Sequence, residues 1–386
     1  MISRRHFLKS CGGCAAFWAG LNLGSPFRTP PSAAAQSMEK GLIRRKLSPY
    51  FTPLSKNRIR CDLCPRSCEV EDGERGHCRV RENRGGRYYS LVYGNPCAVR
   101  VDPIEKKPFY HVLPASTSFS IATAGCNLNC KFCQNWEISQ AQPDDTFNYD
   151  LTPEQVVALA RTSQCRSIAS TYVEPTIFLE YMLEIGRICQ EADILKVMHS
   201  NGFIHEAPLR DLCRVLDAAC IDLKGFSEEY YREMTGGSLE PVLATLKRLR
   251  ELKVHTEIVN LVVPGKNDSP EQVRAMCRWI RAELGPDVPV HFSRFYPLYQ
   301  LKSLPPTPVA TLEQAWKIAG EEGLHFVYIG NIPGHSAEHT QCPQCRTVVI
   351  ERVGYRVRLT RLDNGKCRNC GTLLPGIWNQ REARRT

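Results

Sequence analysis

Residues Gly125 to Asn135 read GCNLNCKFCQN and set Cys126, Cys130 and Cys133 in one short loop behind an apolar run, Phe119 to Ala122. Cysteine thiolates are the usual ligands of cluster iron, and a closed electron-transfer cubane takes four of them. Three thiolates at this spacing hold three irons and leave the fourth without a protein ligand. A metal that keeps a position open is one that can bind a substrate.

The chain around this loop has 386 residues, 42% hydrophobic and 23% charged. That suits two or three globular domains and excludes a disordered or membrane-embedded chain. No apolar run of about 18 residues follows the N-terminus, so no membrane span is expected in the mature chain. The net charge is +10, and Arg4, Arg5, Lys9 and Arg28 contribute four of those charges in a stretch without acids. The rest is too weakly basic to indicate nucleic acid as a partner.

Residues 1–36 read as an export signal: Ser3-Arg4-Arg5-His6-Phe7-Leu8-Lys9, a mildly apolar stretch, then small residues near Ala35. The paired arginines resemble a twin-arginine signal, which implies a periplasmic protein exported already folded. A cytoplasmic chain starting at Met38 is the alternative.

From 116 to 330, strands alternate with helices. The expected strands are 118–123, 167–172, 194–199, 218–223, 254–262, 289–295 and 325–329, short and rich in β-branched or apolar residues. Helix starts are written at Thr152-Pro153-Glu154-Gln155 and Ser269-Pro270-Glu271-Gln272, each with an N-cap, a first-turn proline and a capping-box partner. Thr311-Leu312-Glu313-Gln314 repeats the device without proline. This alternation predicts a parallel α/β array. A reactive loop directly after the first strand points to a partial (β/α)6-type barrel, with chemistry at the strands' C-terminal ends. By alternation His291 and Arg294 are expected to face that cavity.

Nineteen cysteines are far more than average, and eleven fall in three clusters. Cys61, Cys64, Cys68 and Cys78 lie within 18 residues of a region spanning 37–115, and read as a metal site for zinc or a second iron–sulfur cluster. Cys342, Cys345, Cys367 and Cys370 form two C-x2-C knuckles in 340–380 and read as a zinc-ribbon-like domain, with rubredoxin-type iron as the alternative. Cys97, Cys165, Cys189, Cys213, Cys220 and Cys277 read as small buried hydrophobes.

Cys126, Cys130 and Cys133, with the aromatic Phe132 before the last, resemble the signature of the radical S-adenosylmethionine (SAM) superfamily. That resemblance implies a [4Fe-4S] cluster whose open iron binds SAM, and reductive cleavage to a 5′-deoxyadenosyl radical that abstracts hydrogen. Glu174-Pro175 is similar to the end of the superfamily's Gly-Gly-Glu element, with Tyr172 and Val173 in place of the glycines. His199-Ser200-Asn201-Gly202 and Asp222-Leu223-Lys224 are similar to SAM-binding elements of glycyl-radical-enzyme activases, and Val262-Val263-Pro264-Gly265 to their turn against adenine. By carry-over Glu174, Ser200, Asn201, Asp222, Lys224 and Phe132 are the expected cofactor-binding residues.

CDLCPRSC, VDPIEKKPFYH, TAGCNLNCKFCQNWEISQ and the terminal CGTLLPGIW together resemble the radical SAM member of the AmmeMemoRadiSam system, relatives of pyruvate formate-lyase activating enzymes. The resemblance covers about 57–378. It implies Memo-like and AMMECR-like partners and an electron donor such as flavodoxin or ferredoxin. An activase acting on a protein backbone and a non-enzymatic iron–sulfur electron carrier are the other readings. Pro103, Lys106, Lys107, Phe109 and Tyr110 are expected to line a basic, aromatic mouth.

Overall fold

A computed structural model describes residues 37–379. The twin-arginine-type segment lies outside them, as does residue 380 of the expected ribbon.

An eight-stranded sheet carries the chain: β1 Ala98–Pro103, β2 Thr117–Ala122, β3 Ser167–Ser170, β4 Leu195–Ser200, β5 Ala218–Asp222, β6 His255–Val262, β7 Val290–Arg294 and β8 Val327–Gly330. Strands β2 to β8 are parallel and lie in chain order. Strand β1 runs antiparallel along β2. All seven expected strands are present, and the fold is the expected α/β type on a mixed sheet. The two edge strands, β1 and β8, do not pair with each other among the described residues, so the sheet does not close into a full barrel. Strand β1 also extends the sheet ahead of the expected start at 116. Its charged and proline-ended sequence, AVRVDP, suits an edge position and gives no clean strand signal.

Helices α1 Pro153–Thr162, α2 Leu179–Ala192, α3 Glu206–Cys213, α4 Glu240–Glu251, α5 Pro270–Trp279 and α6 Val309–Glu321 cross between the parallel strands. The Thr152 capping box forms in full, and Ser269 accepts from the Gln272 amide. Thr311 does not cap. Helix α6 starts three residues earlier, after Pro308, whose extended conformation turns the chain into the helix and leaves Thr311 inside the first turn.

One face of the sheet packs Met198, Ile221, Ile258 and Phe292 against the helices' Val156, Leu209, Leu246 and Leu312. The other face buries Ala169, Leu195, Val197, Ala218, Cys220 and Val259 under Ile104, Phe109, Val112 and Leu113. The segment 104–113 therefore plugs the end of the sheet where the strands begin. Phe109 and Tyr110 are buried there and do not line a mouth, because two large aromatics gain more from the core than from solvent. Glu257, fully buried at the start of β6, fastens the plug. It accepts from the amides of Tyr110 (3.0 Å) and His111 (2.8 Å) and from His291 Nε2 (2.8 Å). Burial alone would favour its neutral form, but His255 and His291 hold the carboxyl well below its usual range.

His291 thus faces inward at the plugged end, while strand alternation turns Arg294 outward to the Thr307 carbonyl (2.8 Å). Neither lines the cavity, and Ser293 takes that place.

The N-terminal region docks through the His205 amide on Leu63 O (3.0 Å) and Tyr50 OH on Asp211 (3.0 Å). At the C-terminal end, β9 Val348–Val353 and β10 Arg356–Leu359 form a hairpin. Its fully buried Arg352 donates to Tyr110 O (2.8 Å) and Thr340 Oγ1 (2.7 Å). No helix among the described residues is long and apolar enough to cross a membrane. Cys165, Cys189, Cys220 and Cys277 are buried as expected, and Cys97 and Cys213 are partly so.

Candidate functional site

The C-terminal ends of the strands surround a cavity of about 430 Å³, within the range of small-molecule sites. Cys126, Cys130, Phe132 and Cys133 form one wall, and Glu174, His199, Asn201, Asp222 and Lys224 face them.

The loop after β2 owes its path to Gly125, at φ +90°. A Cβ there would sit 2.5 Å from the carbonyl oxygen of Cys78 and 2.6 Å from Val80, so only glycine lets the N-terminal region approach this closely. Residues 231–235 form a π-helical turn whose last carbonyls stay free for other donors, and the Asn129 and Lys131 amides bond Thr235 O (2.8 Å) and Met234 O (2.9 Å). The Leu128 amide points at Cys126 Sγ (3.4 Å) and Ser139 Oγ lies 3.2 Å from Cys133 Sγ. Burial pushes the Cys130 thiol up to about 12, against the attraction of Lys224.

Glu174 follows β3 at the expected place, with its acceptor sites largely engaged. Thr176 N (3.0 Å), Thr176 Oγ1 (2.7 Å), Ser200 Oγ (2.8 Å) and Asn201 N (2.7 Å) all donate to it. Burial pushes its carboxyl up, against these hydrogen bonds. Ser200 is therefore turned from the cavity to Glu174 and is not in the lining. Asn201 does line it, and its Nδ2 donates to Asn127 Oδ1 (2.8 Å). Val263 and Gly265 are not in the lining, where β6 contributes Val259 and Leu261 instead.

Asp222 binds His199 Nε2 (2.8 Å) and Lys224 Nζ (2.8 Å). Burial works against its charge, yet Lys224 and His199 hold the carboxyl well below its usual range. Lys224 is raised in turn: burial pulls it down, but Asp222 and Cys130 outweigh that. Its ammonium also lies 5.7 Å from the Phe132 ring centroid.

Several lining residues gave no sequence signal. Tyr172 has φ +67°, the conformation a glycine adopts freely and a tyrosine rarely. It stands where the resembling element has glycine, so the backbone shape is kept while a side chain is added. That side chain is held by a hydrogen bond to Asp102 and by the Lys107 ammonium, 4.1 Å from its ring centroid. Lys107 itself is buried against Asp102 (2.6 Å), so it is a structural ion partner and not a surface base. Lys106 and Pro108 do reach the cavity, and Pro103 does not. Tyr355, at the tip of the β9–β10 hairpin, and Asn331, after β8, complete the rim.

The residues present suit a cubane cluster. Three thiols share one cavity, an amide and a hydroxyl point at two of the sulfurs, and a lysine beside Cys130 offsets negative charge. Among the described residues, Cys342, Cys345, Cys367 and Cys370 form the only group of three or more His, Cys, Asp or Glu residues whose ligand atoms all lie within 4.8 Å of one another. Their Sγ pairs at 3.5 and 3.7 Å match the roughly 3.8 Å edge of a tetrahedron with metal–sulfur bonds of about 2.3 Å. The three-thiol loop is spread wider, as a multi-iron group requires.

The profile of the Radical SAM superfamily matches residues 120–280. Uncharacterized protein MJ0808 of Methanocaldococcus jannaschii is 43% identical over 324 residues, 83% of this chain and 96% of that protein. The pyruvate formate-lyase-activating enzyme of Listeria monocytogenes is 23% identical over 177 residues, 42% and 69% of the two chains. Among solved structures, a domain of that enzyme from Bacteroides vulgatus is 16% identical over 43% of this chain and 99% of its own, at a TM-score of 0.38. Streptococcus suis SuiB bound to S-adenosylmethionine is 13% identical over 59% and 53%, at 0.44. The chain belongs to one family with the methanogen protein MJ0808 and carries a radical SAM domain, distantly similar to the pyruvate formate-lyase activating enzymes.

Proposed function

We propose that this chain is a radical SAM enzyme that removes a hydrogen atom from a substrate held at the C-terminal ends of the strands. The observation that carries the reading is the single cavity uniting three unpaired cysteines of one loop with the Asp222–Lys224–His199 charge cluster. Cys126, Cys130 and Cys133 would hold a [4Fe-4S] cluster, and Asn201, Asp222, Lys224 and Phe132 would face SAM. When bound, the pair supplies one-electron cleavage of a sulfonium and a 5′-deoxyadenosyl radical. The chain's own task is to bind, orient and keep water out. Glu174 orders Ser200 and the Asn201 amide, and Asp222 keeps Lys224 protonated beside the cysteine loop. Tyr172, Lys106 and Tyr355 set the width of the mouth.

The motif set supports a place beside Memo-like and AMMECR-like partners and a flavodoxin or ferredoxin donor. The tetrahedral C-terminal sulfurs support zinc. The test is anaerobic reconstitution followed by reduction with SAM. We expect 5′-deoxyadenosine, and iron-loaded protein that forms none would refute the reading.

A further inference from the structure

Cys61, Cys64, Cys68 and Cys78 line one space in the N-terminal region. Two turns bring them there: the Cys61 amide bonds Cys68 O (2.8 Å), the Ser67 amide bonds Cys64 O (3.0 Å), and the Arg79 amide closes the turn at Cys78 on Gly76 O (2.9 Å). None is in a disulfide, and three of the four residues are buried. The neighbouring His77 Nε2 and Arg79 Nη1 are buried without a hydrogen-bond partner. Four thiols and the orphaned His77 Nε2 around one space point to a missing ligand, with Arg79 next to Cys78 in the chain.

Sulfur spacing distinguishes between metals. Four sulfurs clasping one ion at about 2.3 Å lie roughly 3.8 Å from one another. The N-terminal sulfurs fall outside the 4.8 Å grouping that the C-terminal four satisfy among the described residues. Arg66 and Arg81 line the space as well and oppose the negative charge of a thiolate-bound cluster.

We propose that Cys61, Cys64, Cys68 and Cys78 bind a second iron–sulfur cluster, of the four-thiolate cubane type, seated against the first. The contact is direct: the Cys78 carbonyl touches the Cβ position of Gly125, one residue before Cys126, and Arg66 donates to the Asn127 carbonyl and to Gly236 O (2.7 Å).

The test uses the full chain, reconstituted anaerobically with iron and sulfide. Two cubanes give about eight iron and eight sulfide per chain, against about four of each for one. The variant Cys126→Ala/Cys130→Ala/Cys133→Ala should keep about four of each, and adding Cys64→Ala and Cys78→Ala should remove them. Reduced wild type should show an electron paramagnetic resonance signal broadened by a neighbouring paramagnet, and the triple variant a narrow one. Anomalous scattering at the iron and zinc edges on wild-type crystals assigns each site even if the variants misfold. Zinc at the N-terminal four, or no metal there, overturns the proposal. Formation of 5′-deoxyadenosine reports separately on the three-cysteine loop.

Discussion

The two ends of the sheet use the same materials for opposite purposes. Where the strands begin, a buried carboxylate, Glu257, is saturated by backbone amides and histidines beneath an apolar plug. Where they end, Asp222 meets a lysine and a histidine on the wall of a cavity, and its side chain stays about a quarter exposed. A charge that only holds the fold is surrounded and dry, whereas the one on the cavity wall keeps a side open. Perturbed carboxylates occur at both ends, so perturbation alone does not locate the site.

Substitutions at matched positions test this contrast. Glu257→Gln should cost the most, about 3–5 kcal/mol, because it removes one partner of a buried charged network; urea melts read this directly, and a loss below about 1 kcal/mol would mean the plug is not fastened there. Asp222→Asn should cost less stability but lower 5′-deoxyadenosine formation about 10–100-fold, the range for groups that orient ligands beside a metal. Equal damage to stability from both would erase the distinction between the ends.

Tyr172→Phe removes the hydroxyl bonded to Asp102 and should cost about 1–2 kcal/mol. Tyr172→Gly should recover part of that through relief at positive φ, and thermal melts of the two variants decide it.

The mildest effect concerns pH at the plugged end. His111 donates through Nδ1 to Pro375 O (2.7 Å) and accepts at Nε2 from Tyr328 OH (2.7 Å). Burial brings its pKa down to about 3. The unfolded chain binds this proton below about pH 6.5 while the folded one does not, so stability falls as pH drops from 6.5 toward 3, by at most about 1.4 kcal/mol per unit. Urea melts at pH 7.5 and 5.5 should show a shallower fall for His111→Gln, and an unchanged fall would assign the dependence to other groups.

Local signals carried most of the fold into the sequence. The seven parallel strands are short apolar or β-branched runs between helices, and of the three written caps the Thr152 box forms in full while Ser269 makes only its own half. What depends on distant partners stayed hidden. The sequence VDPIEKKPFYH looks like an exposed basic, aromatic arm, yet Lys107 is buried by Asp102, five residues earlier, and Tyr110 by Glu257 and Arg352. Cysteine spacing marked a loop that lines the cavity, but Ser200 turned to Glu174, which no spacing rule conveys. Tyr355 lies more than 200 residues from the cysteines it faces across the cavity, and nothing local marks it.

That tyrosine has a temporal consequence. Chains emerge from the ribosome amino end first, so the three cysteines of the loop are made long before Ser293, Asn331 and Tyr355, and the cavity wall is completed last by the hairpin.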